Sequence, residues 1–149
     1  MSNKVFDATP VISAAAIYAA GDAVGGLLTF ENVCSEFVAS AEIVGAVLID
    51  RDKESDLLDL LLFDQSVTAT ADNDALAVSD ADLAHLIGII SFPAASYVDL
   101  SANSACYVEK ATPIRLVDGG RNLFGLLRSG ATPTYTAVGD LTVRLIVRS

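Results

Sequence analysis

The segments S-D-L-L-D-L-L-L-F-D (residues 55–64), T-A-T-A-D-N-D-A-L-A (68–77) and S-D-A-D-L-A-H-L-I-G-I-I-S-F (79–92) form one unit, and the rest of the chain reads outward from it. Residues 57–63 are apolar except for Asp59 and are closed by Asp64, the mark of a strand with little surface to give to water. Residues 65–74 form a polar loop. Ser79 is placed as a helix N-cap, and Asp80 and Asp82 in the first turn complement the exposed amides and the positive end of the helix dipole. Gly88 is the expected end of that short helix, residues 87–92 form a second buried strand, and Pro93 stops it. The unit contains no phosphate loop and no metal-ligand spacing.

Upstream, residues 1–8 are a polar lead-in, expected as a frayed end or as an N-terminal arm spanning 1–10. In V-I-S-A-A-A-I-Y (11–18) the spacing predicts a strand, because Gly21, Gly25 and Gly26 follow too closely for a stable helix. Residues 27–30 are the next strand, and 32–41, with Val33, Phe37 and Val38, a strand with an irregular end. Residues 41–50 carry β-branched side chains on both alternating sets, so this strand is buried on both sides or bends at Gly45. The charged turn 51–55 joins it to 57–63 and predicts an antiparallel hairpin.

Downstream, residues 97–100 and 105–109 flank a second hairpin turn, and 114–117 and 123–127 flank a third at 118–122. Residues 130–140 form an extended crossover. Residues 141–148 alternate, with apolar side chains at odd positions, as expected for a sheet with one wet face. About eight or nine short strands and one short helix predict an all-β fold, an antiparallel two-sheet sandwich. Long crossovers between simple hairpins favour a jelly-roll-like arrangement, and 149 residues suit a single domain over 1–149.

Hydrophobic residues make up 52% of the chain and charged residues 19%, a greasy composition for a small monomer, so some apolar surface is expected to meet partners. The formal net charge of -10 opposes a phosphate backbone, and nucleic acid is not expected as a partner. No apolar run reaches the roughly 18 residues needed to span a bilayer. Residues 11–20 are too short and too poor in positive charge for a membrane helix or a signal peptide. Acid is concentrated from Asp50 to Asp82, whereas Arg115, Arg121, Arg128, Arg144 and Arg148 lie in the last third; this split reads as solvated faces or as steering of head-to-tail contact. Cys34 and Cys106 sit in apolar segments and are expected as buried, reduced thiols.

Candidate chemistry is sparse. The single histidine, His85, cannot build a metal site by itself. Asp72/Asp74 and Asp80/Asp82 have the look of calcium ligands, but a calcium loop starting at Asp72 needs glycine where Ala77 stands and glutamate where Leu83 stands. Capping and solubility account for those carboxylates. Asp56 and Asp59 are read as strand-edge charges that discourage wrong pairing, not as an acid/base pair. No nucleophile elbow and no Walker pattern occurs. No catalytic, cofactor-binding or metal-binding residue is assigned, no cofactor is expected, and the chain is not read as an enzyme. Tyr97, Tyr107 and Tyr135 are candidates for lining a sugar-binding groove.

The runs Val47-Leu48-Ile49-Asp50 and Leu58-Asp59-Leu60-Leu61-Leu62-Phe63-Asp64, then Ser79-Asp80-Ala81-Asp82-Leu83 and Ile87-Gly88, carry a likeness. With Thr132-Pro133-Thr134-Tyr135-Thr136 and Gly139-Asp140-Leu141-Thr142-Val143-Arg144-Leu145, they resemble small virion structural proteins of tailed bacteriophages, the capsid decoration or cement proteins. The resemblance implies a homotrimer on the outer capsid surface that braces neighbouring capsomers. Its partners would be the major capsid protein and itself, with neither nucleic acid nor membrane, and its location the virion after assembly in the host cytoplasm. A carbohydrate- or receptor-binding module of a phage tail or fibre is the second reading.

Overall fold

The computed structural model describes residues 2–34, 40–115 and 120–149. Nine strands are seen among them: β1 (Asn3–Ala8), β2 (Leu28–Phe30), β3 (Ser40–Asp50), β4 (Leu58–Phe63), β5 (Leu86–Phe92), β6 (Tyr97–Asp99), β7 (Ser104–Arg115), β8 (Leu123–Ser129) and β9 (Leu141–Arg148). A single-turn helix, α1 (Asp80–Leu83), precedes β5, and a short 3-10 turn (Ala94–Ser96) follows it. Ser79 is the helix N-cap, with its hydroxyl accepting the Asp82 N–H at 3.1 Å. Among the described residues no helix is long and apolar enough to cross a membrane.

The strands form two antiparallel sheets, ordered β1-β9-β3-β7-β6 and β2-β8-β4-β5. The pairs are nested: β1 with β9, β2 with β8, β3 with β7, and β4 with β5. With β6 set aside, this is a jelly roll, one long hairpin folded over on itself so that its successive rungs fall alternately into two sheets. The apex of that hairpin is the connection between β4 and β5, which is the loop and helix of the opening unit.

Between the sheets lies the main core, where Leu58, Leu60 and Leu62 of β4 and Ile90 and Phe92 of β5 meet Ile43, Leu48, Leu141, Val143, Leu145 and Val147. The period of two in β9 holds, since its four odd positions are all buried. Tyr18 and Tyr135 close one end of this core, edge to face with ring centroids 6.0 Å apart. The bend expected at Gly45 is a register shift between Ile43 and Gly45 in both pairings of β3.

Several local expectations are corrected. β3 and β4 are not a hairpin: they lie in different sheets. The turn between them is built on the Asp50 carboxylate, which accepts the N–H groups of Asp52 at 3.0 Å and Ser55 at 2.9 Å while Lys53 and Ser55 take positive φ. The third hairpin fails for the same reason, because its first arm begins in the end of β7, which runs unbroken through the expected separate strand 105–109, and β7 and β8 lie in different sheets; residues 116–119 of its arm and turn fall outside the described residues, as do Phe37 and Val38. The second hairpin is present, with Tyr97 opposite Cys106 and Asp99 opposite Ser104.

Residues 11–18 form no strand. They make one isolated bridge, Ile17 to Thr134, and turn at Ala15, whose φ is 59°. The lead-in is ordered as β1 and paired along all six residues with β9. β5 is an edge strand with alternating exposure, so it is not buried on both faces. Gly88 lies within β5, where a Cβ would stand 2.9 Å from the Thr112 Cγ2 of the facing sheet. Glycine is there for close approach between sheets, not for a helix end.

Candidate functional site

The two outer faces of the sandwich differ. On the four-stranded sheet, Leu61 and Phe63 of β4 and Phe124 and Leu126 of β8 point away from the main core. They are roofed by Val67, Ala69, Leu76 and Val78 of the β4–β5 connection. This second small core buries Phe63, Val67 and Leu126. Asp72 locks the roof in place: its carboxylate accepts the Tyr18 hydroxyl at 2.7 Å, the Gly25 N–H at 2.6 Å and the Ser13 hydroxyl. Burial and the Asp72 carboxylate push the Tyr18 pKa up to about 12, which keeps it a donor. The Ala23 N–H to Asp74 carbonyl bond (2.8 Å) and the Leu76 N–H to Gly21 carbonyl bond (2.9 Å) complete the latch.

Among the described residues, the five-stranded sheet has no such roof. Strand register places Val98, Ala105, Ile49 and Thr142 in one outward row, Tyr107, Val47, Arg144 and Asp7 in the next, and Glu109, Gly45, Ile146 and Val5 in a third. Val98 is 61% exposed, Val5 58% and Tyr107 53%, high values for large apolar side chains on one sheet face. The Tyr107 ring lies across Gly45, where a Cβ would be 3.1 Å from its Cε2, so the face is flat. Two of its arginines are paired within the chain, while Glu109 makes no ion pair among the described residues. Arg144 donates two hydrogen bonds to Asp7, at 2.8 and 2.9 Å, and Arg148 pairs with Glu42. The guanidinium holds the Asp7 carboxyl below its ordinary range. This flat, largely apolar face is the candidate functional surface.

The residues singled out for chemistry are scattered and committed to structure. His85 Nδ1 stands 3.1 Å from Asp64 Oδ1, and the Asp64 N–H donates to the His85 carbonyl. Asp82 accepts the Thr68 N–H at 3.0 Å and so ties α1 to the roof. Among the described residues no cluster of three metal-ligating side chains occurs. Asp59 is not an edge charge, because β4 is flanked by β5 and β8; it accepts the Ser91 hydroxyl at 2.6 Å and faces Arg128 at 3.4 Å. Arg128, Arg144 and Arg148 therefore answer carboxylates of their own chain.

Cys34 and Cys106 are free and buried, and burial raises both thiols. The tyrosine groove does not form. Tyr135 is buried, and Tyr97 turns inward to give its hydroxyl to the Asp56 carbonyl at 2.7 Å, which leaves only Tyr107 of the three on the surface. Val5 and Val98 were missed by sequence reasoning, and Tyr107, singled out for a groove, stands instead on this apolar face. The alternation Cys106-Tyr107-Val108 was the available signal, but it marks an outward side chain only once the face is known.

The end of the sandwich carrying the β3–β4 turn is acidic. Asp50 is buried, Glu54 accepts the Thr134 N–H at 3.2 Å, and Asp140 accepts the N–H groups of Thr136 and Ala137 at 3.1 and 2.9 Å. Burial raises the carboxyls of Asp50, Glu54 and Asp56 above their ordinary range, against the pull of the backbone N–H groups on Asp50 and Glu54.

No family model matches the chain. No curated protein matches it. Among solved structures it is similar to that of tomato aspermy virus, at 8% identity and a TM-score of 0.39, over 98% of this chain and 75% of the other. A structure of the Gx strain of infectious bursal disease virus aligns at 10% identity and a TM-score of 0.16, over 99% of this chain and 38% of the other.

Proposed function

We propose that this protein is a structural component of a virion, a decoration protein that seats on the outer surface of a bacteriophage head as a homotrimer and braces neighbouring capsomers. The unroofed apolar face of the five-stranded sheet carries this reading. The chain uses a whole connection to cover one sheet and, among the described residues, leaves apolar side chains open on the other, an arrangement suited to burial against the major capsid protein. The resemblance of the β3, β4 and β9 segments to decoration proteins supports the same reading.

Such a protein acts by mass action and not by catalysis. Each copy that binds the assembled shell and not its separated subunits stabilises the shell, by about 2.7 kcal/mol per site when free protein is at 100 times Kd. A stable contact of this kind requires about 800 Å² from each partner, more than three exposed side chains supply, so the surrounding polar rim would join it.

The test is to mix purified protein with heads lacking it and measure copies bound and the temperature at which heads release DNA. Saturable binding at many copies per head, a raised release temperature and a trimer by light scattering are the expected results. Failure to bind heads, or a monomer at all concentrations, refutes the reading.

A further inference from the structure

At the opposite end of the sandwich from Asp50, a cleft of about 510 Å³ opens between Asn32 after β2, the residues Asp64 and Gln65 after β4, and Arg121 to Phe124 leading into β8. Its volume falls within the range of about 300–1,000 Å³ usual for small-molecule sites. The structure assigns it, we propose, to a neutral sugar, a hexose unit of a glycan. This site is independent of the apolar face and of the decoration reading.

The argument is one of matching chemistry. A pyranose offers neighbouring hydroxyls, each both donor and acceptor, in the plane of its ring, and C–H groups above and below it. Paired donors and acceptors such as planar amides, a carboxylate and a guanidinium around the rim, with an aromatic ring against the C–H groups, suit such a ligand. All are here. Asn122 Oδ1 accepts the Asn32 backbone N–H at 2.9 Å, which ties two walls together and leaves the Asn122 NH2 as a donor. The Arg121 carbonyl accepts the Cys34 N–H at 3.1 Å, fixing the backbone from which an exposed guanidinium extends.

Asp64 is mostly buried and is steadied by His85 through one carboxylate oxygen, so the other remains an acceptor. Gln65 adds a second amide, and half-buried Phe124 supplies the ring. A phosphate or sulfate ligand fits poorly, since Asp64 would oppose it and the chain as a whole carries -10. An apolar ligand would strand the polar rim without partners.

The experiment uses the full chain and three probes, the methyl glycosides of glucose, galactose and mannose, followed by saturation-transfer NMR. An array of neutral and acidic oligosaccharides is screened in parallel. Binding of at least one neutral hexoside, with saturation strongest on its C–H face, is the expected result. Arg121→Ala and Gln65→Ala should each weaken it about tenfold, the effect of one lost hydrogen bond of about 1.4 kcal/mol. Both positions lie outside the main core, and unchanged melting curves would show that the variants fold.

Three outcomes overturn the assignment: no neutral glycan binds, only acidic glycans bind, or the two folded variants bind as well as the parent. Head binding by Arg121→Ala should equal that of the parent, so failure here and failure of the decoration reading are told apart.

Discussion

The outer face of the four-stranded sheet and the outer face of the five-stranded sheet carry similar side chains and meet different fates. The first presents Leu61, Phe63, Phe124 and Leu126 and is covered by the chain's own residues Val67, Ala69, Leu76 and Val78. The second presents Val5, Val47, Ile49, Val98, Tyr107 and Ile146 and has no such cover among the described residues. The difference lies in where the long connection falls. The apex of the folded hairpin belongs to β4 and β5, so the longest connection among the described strands leaves and re-enters the same sheet, and its apolar side chains pack on that sheet's outer face. A sandwich built this way has one sheet finished within the chain and one that other molecules can complete.

That contrast can be broken at the latch. Asp72→Ala removes the acceptor of three donors at once and is expected to cost about 3 kcal/mol, since hydrogen bonds to charged groups are among the stronger ones and the donors lose their partner. Denaturant unfolding would measure the loss, and hydrogen exchange should rise over residues 65–78 while β9 stays protected. Exchange that stays slow over 65–78 would mean that the apolar contacts alone hold the roof.

Beneath the roof, Leu126→Ala should cost about 2–3 kcal/mol through the cavity it leaves, even though Leu126 lies outside the main core. A cost near zero would show that this second core is loose.

A smaller effect concerns the acidic end. Asp50, Glu54 and Asp56 have folded pKa values raised above their unfolded ones. The stability they contribute is complete below about pH 4, the unfolded range, and is lost as pH rises through the folded values. The melting temperature should therefore rise modestly as pH is lowered from neutrality toward about 4, the unfolded range. Asp7 acts in the opposite sense, but its contribution fails only at lower pH, when its depressed pKa is reached. In Glu54→Gln, which keeps an acceptor for the Thr134 N–H, a melting profile as steep as the parent's would exclude Glu54 as a source of the effect.

Least costly to stability is the open face. Val98→Ser should change the unfolding free energy of the isolated chain by no more than about 0.5 kcal/mol, because the side chain is already 61% exposed. The same substitution should sharply reduce binding to heads. A variant that binds as the parent does would place the contact elsewhere.

How much was legible differs by scale. Strands β3, β4, β5 and β9, the first half of β7, the Ser79 cap and the bend at Gly45 follow from local pattern, as does the two-sheet antiparallel class, whereas β7 as one long strand does not. The errors share a cause. The charged turn 51–55 looks like a hairpin turn because a short polar link between apolar runs is common to hairpins and to arches between stacked sheets. Only the buried Asp50 carboxylate, gathering the N–H groups of Asp52 and Ser55, turns the chain into the other sheet. Residues 11–18 have strand composition, yet their backbone bonds go to the Tyr135 and Pro133 carbonyls of a loop. The cleft at Asn32, Asp64 and Arg121 joins three segments remote in sequence, and no local motif marks it.

By itself the sequence determined the alternation that makes these segments strands, the capping that starts the short helix α1, and a composition rich in apolar residues. Those are local or additive properties, written in neighbouring side chains and in composition. Tertiary structure alone decided which strands share a sheet, which apolar face the chain covers for itself, and which polar groups meet at the cleft. Pairing and burial depend on contacts between residues far apart in the chain, and the free energy of such contacts exists only once the fold has brought them together.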